Sequence, residues 1–491
     1  MNDTPAGNTH ADNIHDFSDF DYYVKRHDDF EKEPPKEATE KTPLPCSLEG
    51  LDLQRPPGFV GRVADWIDGQ CRYPRRKLAV ASAIVGVGNI AGLRHEDTRD
   101  GITANMMAFC VAASSSGKEA VMQAFTEMHV TAGMQAALHG GIKSEQEIMR
   151  NVIDQQASFY NIDEIGILMT KIRNAQKRGG SAAYLEGIFG AIMSIYSKAN
   201  SRVILGGDTK RELIKQYAGA LSRAEEDGDE EREDAARRKL NMVEGGLERP
   251  FFSLVGYTTP STFDGIMDGE TATQGLLGRA IVVNEKDINP HPRHGFKRAE
   301  MPMTMAMKLM NLHGGDGERG AVEWRDALVK ISTTENADRL LTDVLKWLID
   351  YADEMNEATG EASVAMVRRA YEQIAKISFI LAIPHGERCT DHVRWAFAYV
   401  RDEMEDKIKL VFANDNAKTK PEEAMAARIL GYLDPEKGTT IPVLDNRLSI
   451  DRSAIETILA KLEEKGLVFF IDTGMTRRGK KVVKWYPKSQ K

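Results

Sequence analysis

The stretch that decides the fold is MMAFCVAASSSGKEAVMQAFTEM, residues 106–128. The apolar run NMMAFCVAA (105–113) is typical of a buried strand, and EAVMQAFTEM is typical of a helix. The loop between them ends in Gly117-Lys118 after three serines. This order predicts a phosphate-binding loop, because successive backbone N–H groups and a helix N-terminus can surround an anion.

Two positions depart from the usual pattern G-x-x-x-x-G-K-[ST]. Ala112 stands where a glycine is expected, and Glu119 stands where Ser or Thr is expected. Alanine can form the turn if its φ stays negative, and a carboxylate is a hard oxygen donor that can ligate Mg²⁺. We therefore expect ATP with Mg²⁺ to bind the following residues: Ala113, Ser114, Ser115, Ser116, Gly117, Lys118 and Glu119.

An acidic pair follows the next long apolar run. FYNIDEIG (159–166) ends a predicted strand with Asp163 and Glu164. We expect Asp163 to hold Mg²⁺ through water and Glu164 to polarise the attacking water. The alternative is an ordinary pair of acids at the start of a helix, where acids are favoured.

Polar residues also end a later strand, in SLVGYTTP (253–260). Thr258 and Thr259 lie at its end, and Thr259 is predicted to orient the attacking water. The alternative is a simple turn that stops at Pro260.

Arginines complete the predicted catalytic set. Arg279, in GLLGRAIVV, precedes another apolar run and is predicted to reach a neighbouring subunit's γ-phosphate as an arginine finger. Arg368 and Arg369 open a helix farther along the chain, from which a lid arginine would contact the nucleotide. The alternative for Arg279 is an ordinary surface arginine.

Strand-like runs alternate with helical stretches, so we predict an α/β fold with a mainly parallel sheet, and the loop motif makes it a P-loop NTPase. The family resemblance given below implies an AAA+ or RecA-like core. SRVILGG (201–207) is included among the strands, and LAVASAIVGVGNIAGL (78–93) is read as a buried helix. The predicted organisation is a disordered acidic tail (1–55), an ATPase core (56–298) with a charged helical insert (209–248), a helical lid region (299–415) and a winged helix-turn-helix (421–491).

Charge is unevenly distributed. The chain has a net charge of −9; residues 1–55 hold 13 acidic and 6 basic residues, and residues 421–491 hold 10 acidic and 13 basic residues. The tail, with Phe17, Phe20, Tyr22 and Tyr23, is either a solubilising segment or a docking segment for a primase or other replication partner.

The C-terminal segment ends in a predicted β-hairpin, LVFFIDTG-MTRRGKK-VVKWYP, with a basic tip. We expect this segment to bind duplex DNA, with a protein-binding winged helix as the alternative. The predicted DNA contacts are Arg452, Arg477, Arg478, Lys480, Lys481 and Lys484.

The longest uncharged stretch is too short to span a bilayer, and the acidic N-terminus has no apolar signal region, so no membrane association is expected. The four cysteines are widely spaced and form no C-x-x-C pair, which argues against disulfides and zinc sites and fits a reducing compartment. We expect a cytoplasmic protein of a bacterial host cell.

The motifs above resemble those of phage and plasmid P-loop proteins described as replicative helicases or primases, or as domains of unknown function. The resemblance covers roughly residues 56–412, and the LLGR segment is also similar to MCM-type AAA+ helicases. It implies a ring-forming homo-oligomer, expected to be a hexamer, that hydrolyses ATP and moves on single-stranded DNA during replication of a mobile element. A primase segment with its own acidic triad or zinc ribbon is not recognisable.

Two other functions remain open at this point. One is a nucleotide-sensing, DNA-binding initiator or regulator without unwinding activity, and the other is a packaging motor. Glu164 favours hydrolysis over sensing, and the winged helix stands where a packaging motor usually carries a nuclease.

Overall fold

The computed structural model describes residues 43–155, 157–178, 183–264, 275–285, 291–314, 328–359, 361–419, 421–435, 437–448, 452–475 and 481–488. The chain divides into two compact units, of which one is Leu44–Asp415 and the other contains Asn416–Lys491. The predicted core and helical region therefore share one compact unit. Most of the predicted acidic tail, residues 1–42, lies outside the described residues, and so do Phe17, Phe20, Tyr22 and Tyr23.

The larger unit is built mainly of helices around a sheet. Its helices are α1 Gly58–Gly69, α2 Arg76–Gly92, α3 Lys118–Thr131, α4 Glu145–Gln155, α5 Ile165–Arg178, α6 Ala183–Ser197, α7 Gly207–Asp227, α8 Glu230–Gly245, α9 Pro260–Asp264, α10 Leu276–Arg279, α11 Met303–His313, α12 Glu335–Thr359, α13 Glu361–Ala382 and α14 Thr390–Thr419. Its strands are β1 His95–Asp97, β2 Met107–Ala112, β3 Leu138–His139, β4 Ala157–Ile162, β5 Arg202–Val203, β6 Leu247–Glu248, β7 Phe251–Thr258, β8 Ala280–Glu285, β9 Val329–Thr333 and β10 Glu387–Arg388.

The central sheet contains five described strands in the order β3-β4-β7-β2-β8. Every neighbouring pair is parallel. The registers pair Val111 with Thr258 and Met107 with Ala280. Strands β2, β4 and β7 are buried along their whole length, as expected for a parallel sheet covered on both faces. The predicted α/β class with a parallel sheet is confirmed.

The strand order creates a switch point beside β2. From β2 the chain crosses to the edge strand β3, and it then returns through β4 and β7 before passing β2 to reach β8. Because such crossovers are right-handed, connections that run in opposite directions lie on opposite faces of the sheet. A crevice therefore opens at the carboxyl ends of β2 and β7, which is where open α/β sheets bind ligands.

Helix α2 confirms the predicted buried helix. Nearly all of its residues are buried, and its glycines allow close approach to neighbouring elements. A Cβ at Gly88 would lie 2.6 Å from the Ala104 carbonyl oxygen, and one at Gly92 would lie 2.6 Å from the Phe251 ring. The glycines in GVGNIAG thus serve helix packing.

Two predictions about the larger unit need correction. Strand β5, inside the run 201–207, is outside the parallel sheet: it pairs antiparallel with β6 at the base of the charged helices α7 and α8. The pairing of β5 with β6 agrees with the burial of this segment: Arg202 and Ile204 are exposed, and only the residues that alternate with them are buried. The edge of the parallel sheet next to β4 is formed instead by the short strand β3, which the sequence did not predict.

The second correction concerns the end of the predicted disordered tail. Residues 43–55 are described and are held against α14. The Arg394 guanidinium donates to the Ser47 carbonyl at 2.8 Å, and the Trp395 indole N–H donates to the Asp52 carbonyl at 2.9 Å. The ordered chain therefore begins before residue 56, because two α14 side chains satisfy its backbone.

The smaller unit has its own apolar core. Its elements are α15 Pro421–Tyr432, α16 Ile441–Leu448, α17 Arg452–Glu464, β11 Val468–Met475 and β12 Lys481–Pro487. Strands β11 and β12 form an antiparallel hairpin, and Thr439 forms an additional bridge with Trp485. Helix α16 was not recognised from the sequence, because it is only eight residues long. Among the described residues of the chain, no helix is long and apolar enough to cross a membrane.

Candidate functional site

The predicted phosphate-binding loop lies at the carboxyl end of β2. The strand ends at Ala112 and helix α3 begins at Lys118. Within the loop Ser115 has φ 57° and Gly117 has φ 91°. The Ser116 N–H donates to the Ala113 carbonyl at 3.3 Å, and Gly117 directly precedes helix α3, whose N-terminus carries free N–H groups of the kind that bind anions. The structure therefore places the predicted loop between a buried strand and a helix N-terminus.

Lys118 joins the loop to the acidic pair at the end of β4. Its side chain is buried, and its Nζ lies 2.8 Å from Glu164 Oε1 and 4.0 Å from Asp163 Oδ1. Glu164 has φ 51°, and its N–H donates to Asp163 Oδ1 at 2.9 Å. The structure thus brings the predicted lysine and both predicted carboxylates together at one edge of the sheet.

Strand β7 ends between β2 and β4, and two hydroxyls here have no bound partner. Thr258 Oγ1 and Ser116 Oγ are buried and have no hydrogen-bond partner among the described residues. Buried polar groups are normally satisfied, so these two hydroxyls are exceptions at the strand ends. Thr259 instead bonds Thr262 Oγ1 at 2.9 Å and begins helix α9. Thr258 at this strand end is therefore fully buried, whereas Thr259 is partly exposed and bonded to a neighbouring threonine.

Glu119, the other predicted metal ligand, is exposed in the first turn of α3. In the described part of the chain, no group of three or more His, Cys, Asp or Glu side chains is arranged to hold a metal ion. Magnesium sites at phosphates often use only one or two carboxylates and keep several waters. The described residues therefore offer no site made entirely of protein ligands, and a magnesium ion here would keep several waters.

Arg279 lies at the opposite edge of the same sheet. It precedes Ala280, which pairs with Met107, whereas Ala112 beside the loop pairs with Glu285. Five residues of strand separate these edges, or about 16 Å at 3.3 Å per residue. The structure therefore separates Arg279 from the loop of its own chain.

Arg369 is close to Arg279, whereas Arg368 is exposed on α13. A Cβ at Gly275 would lie 2.6 Å from Arg279 Nη1 and 2.9 Å from Arg369 Nη2. Burial and the neighbouring Arg369 charge lower the pKa of Arg279. The Glu372 carboxylate acts on Arg279 in the opposite direction, and Arg279 Nη1 donates to the Gly275 carbonyl at 3.2 Å. Arg369 thus accompanies the predicted finger and not the loop of its own chain.

Buried side chains fix the turn that carries Arg279. Gln373 Nε2 donates to the Gly278 carbonyl at 2.8 Å, and Lys407 Nζ donates to the Leu277 carbonyl at 3.0 Å. Lys407 also pairs with Glu403 at 2.9 Å, and Glu403 accepts a bond from Val282 N. Helices α13 and α14 therefore hold this turn in a defined orientation.

The sequence did not point to the segment behind the loop. Arg75 is fully buried, and its Nε donates to the Ser116 carbonyl at 2.5 Å. Tyr73 also backs the loop, since a Cβ at Gly117 would lie 3.5 Å from the tyrosine Cβ. No motif marks these residues, because their contact with the loop depends on packing between segments about forty residues apart.

The smaller unit carries the predicted nucleic-acid residues. Arg452 is exposed at the start of α17, and Lys484 Nζ donates to the Lys437 carbonyl at 2.9 Å. Lys481 is the first residue of β12. The remaining predicted contacts, Arg477, Arg478 and Lys480, lie outside the described residues.

Comparison of the chain with protein-family models found no matching family, and comparison with curated proteins found no match.

Proposed function

We propose that this chain is an ATPase of the P-loop class that acts as an oligomeric, DNA-directed helicase or translocase. The observation that carries the proposal is the convergence of the Gly117-Lys118 loop, Asp163 and Glu164 at one edge of the parallel sheet. A nucleotide loop needs no acidic partner for binding alone, whereas hydrolysis needs a group that activates water. The carboxylates therefore favour hydrolysis over nucleotide sensing.

The sheet supports the P-loop assignment independently of the motif. The loop follows the strand beside the switch point, and the acidic pair follows a strand two positions away, across β7. Ligands of open α/β sheets bind at this type of crevice. Ser116 and Thr258 lie at the same edge, and their hydroxyls are buried without a hydrogen-bond partner among the described residues.

Each site residue has a proposed task. The loop N–H groups and Lys118 hold the phosphates of ATP, and Asp163 with Glu119 holds Mg²⁺, which neutralises phosphate charge when bound. Glu164 accepts the proton of the attacking water. Its present contact with Lys118 implies that Lys118 exchanges this carboxylate for phosphate when nucleotide binds.

The arginines support an oligomer. Arg279 and Arg369 lie at the sheet edge opposite the loop, so they serve the nucleotide of a neighbouring subunit and not their own. Such a head-to-tail contact closes into a ring, which agrees with the hexamer implied by the family resemblance. A ring would thread single-stranded DNA.

The order of elements in the smaller unit supports a winged helix. Three helices precede the β11–β12 hairpin, and the Thr439–Trp485 bridge adds a third short strand. We propose that this unit binds duplex DNA, with α17 directed to the major groove and the basic hairpin tip at the phosphates. The sequence MTRRGKKVVKW concentrates positive charge in an otherwise acidic chain.

A pair of substitutions tests the proposed hydrolysis. Lys118→Ala is expected to lose ATP affinity, whereas Glu164→Gln is expected to retain ATP binding and to lower turnover by about 10²–10⁴-fold, because only water activation is removed. Phosphate release measures turnover, and equilibrium titration with a fluorescent ATP analogue measures affinity. Displacement of a strand from forked duplexes should require the same two residues.

Glu127→Gln is the matched control, since Glu127 is an exposed carboxylate on α3. It should leave both turnover and affinity unchanged. Turnover of Glu164→Gln at the wild-type rate would contradict the assigned role. Nucleotide binding without measurable hydrolysis by the wild-type chain would instead favour a nucleotide-sensing regulator.

A further inference from the structure

Arg75 is a charged side chain buried directly behind the candidate phosphate loop. It is fully buried and stands immediately before helix α2. Its Nε donates to the Ser116 carbonyl oxygen at 2.5 Å. Burying a guanidinium is costly unless it is well paired, so a fully buried arginine needs a specific reason for its position.

The backbone that carries Arg75 is fixed independently of the loop. The Arg75 N–H donates to Asp68 Oδ1 at 2.8 Å, and Asp68 Oδ2 accepts from Arg293 Nη2 at 2.5 Å. Arg293 also donates to the Cys71 carbonyl at 2.6 Å, and its own N–H donates to the Arg72 carbonyl at 2.9 Å. The segment from Asp68 to Arg75 is therefore anchored from its far side.

The contact with Ser116 determines the direction of one peptide group. The Ser116 carbonyl and the Gly117 N–H belong to the same planar trans peptide and point in opposite directions. Because Arg75 holds the carbonyl, the Gly117 N–H must point away from Arg75. Gly117 has φ 91° and directly precedes helix α3, so its N–H belongs to the group that faces an anion at the loop.

We propose that Arg75 is a positioning residue that presets the Ser116–Gly117 peptide for phosphate binding. The proposal rests on the proposed function, because it assumes that the loop binds the phosphates of a nucleotide. Arg75 acts through the loop backbone and does not touch the ligand. Its buried positive charge also favours an anion on the other side of the peptide. Preset donors bind more tightly because less ordering remains to be done when the ligand arrives.

The neighbouring Arg76 provides a matched control. Its Nε donates to the Gln54 carbonyl at 2.5 Å and its Nη1 pairs with Asp65 at 2.8 Å, so it bonds elsewhere than the loop. Arg75→Gln and Arg76→Gln remove the same charge one residue apart. Arg75→Lys keeps the charge at residue 75, and it provides a second variant should Arg75→Gln fail to fold.

The experiment measures binding of ADP and of inorganic tripolyphosphate to the full chain by calorimetry, with thermal unfolding recorded for each variant. Arg75→Gln is expected to weaken both ligands by about 10–100-fold, the range of a lost hydrogen bond to a charged group. Arg75→Lys is expected to recover part of this loss. Arg76→Gln should bind both ligands within two-fold of the wild-type chain.

Equal weakening of ADP and tripolyphosphate is the signature of a phosphate-directed role, which a general loss of stability would not produce at temperatures where each variant is folded. Wild-type affinity in a folded Arg75→Gln or Arg75→Lys chain would overturn the role of Arg75 and leave the proposed ATPase intact. Failure of the wild-type chain to bind either ligand would overturn the proposed function, and the role of Arg75 with it.

Discussion

At the scale of single residues, the candidate site contains backbone strain that two buried cations stabilise. Ser115 and Glu164 are non-glycine residues with positive φ, which costs an L-residue about 1–2 kcal/mol. Such strain persists where the surroundings fix it. Lys118 pairs with the Glu164 carboxylate, and Arg75 binds the carbonyl of Ser116, next to Ser115. Within the site, Lys118 therefore holds the strained Glu164 itself, and Arg75 holds the residue that follows the strained Ser115.

The helix that follows the loop contains a histidine that makes stability depend on pH. His129 is fully buried, its Nδ1 bonds the Phe125 carbonyl at 2.8 Å, and its Nε2 lies 3.1 Å from Asn89 Nδ2. Burial lowers the pKa of His129 to about 4. As pH falls, the unfolded chain takes up the His129 proton before the folded chain does. The free energy of unfolding should therefore decrease between about pH 6.5 and 4, and His129 should contribute up to about 1.4 kcal/mol per pH unit.

Urea denaturation at several pH values in this window measures that slope. His129→Gln is expected to lower stability at pH 7, since it loses buried packing, but to make the slope shallower by about one proton. His291→Gln, in an exposed position, is the control and should keep the wild-type slope. Equal slopes for His129→Gln and the wild-type chain would show that His129 does not remain neutral in the fold.

At the scale of secondary-structure elements, long apolar runs made most of the fold predictable. The runs that became β2, β4, β7 and β8 were recognised because a buried parallel strand is apolar on both faces. Strand β3 was missed because two residues carry no pattern, and β5 was assigned to the wrong sheet because pairing partners are not encoded locally.

Part of the candidate site could likewise be predicted from the sequence, and part could not. Lys118, Asp163 and Glu164 could be placed together from the sequence, because the carboxyl ends of parallel strands meet at one edge. The sequence could not show that Arg369 lies near Arg279 or that Arg75 contacts Ser116. Each of these contacts joins segments that only the folded chain brings together.

Two glycines in different helices should respond oppositely to alanine. In α2 a Cβ at Gly88 would lie 2.6 Å from the Ala104 carbonyl oxygen and 2.9 Å from Ile380 Cδ1, so Gly88→Ala should destabilise the chain by about 1–3 kcal/mol. In α7 no heavy atom lies within 4 Å of a Cβ at Gly219. Gly219→Ala should stabilise by up to about 1 kcal/mol, because alanine loses less backbone entropy in a helix.

Thermal and urea denaturation of the two variants distinguish packing from helix propensity. If Gly88→Ala matched or exceeded wild-type stability, the close approach of α2 to Ala104 would be wrong. A large loss of stability in Gly219→Ala would contradict the open environment of α7.

At the scale of the whole molecule, the central sheet separates two halves of one proposed catalytic site. The loop and the acidic pair lie at the carboxyl edge, and Arg279 with Arg369 lies at the amino edge, about 16 Å away along the strands. Neither half is complete alone if hydrolysis uses an arginine at the γ-phosphate. A second copy that presents its amino edge to the first copy's loop would complete the site.

Mixing two inactive variants tests this arrangement. Arg279→Ala should bind ATP normally yet fail to hydrolyse it, whereas Lys118→Ala should fail at the loop. In a mixed ring, an Arg279→Ala subunit still offers an intact loop and a Lys118→Ala subunit still offers an intact arginine. With random assembly of equal amounts, about one interface in four is complete, so up to about a quarter of wild-type ATPase activity should return.

The control mixture combines Lys118→Ala with Glu164→Gln. Lys118 and Glu164 belong to the same half-site, at the carboxyl edge, where they are in contact within one chain. Every subunit in this mixture therefore carries a defective carboxyl-edge half-site. This mixture should remain inactive at every ratio. If Arg279→Ala and Lys118→Ala formed mixed rings, as shown by co-purification of two differently tagged variants, but recovered no activity, Arg279 would not act across the subunit interface. If activity returns with Arg279→Ala plus Lys118→Ala but not in the control mixture, the carboxyl edge of one chain and the amino edge of another must form one site.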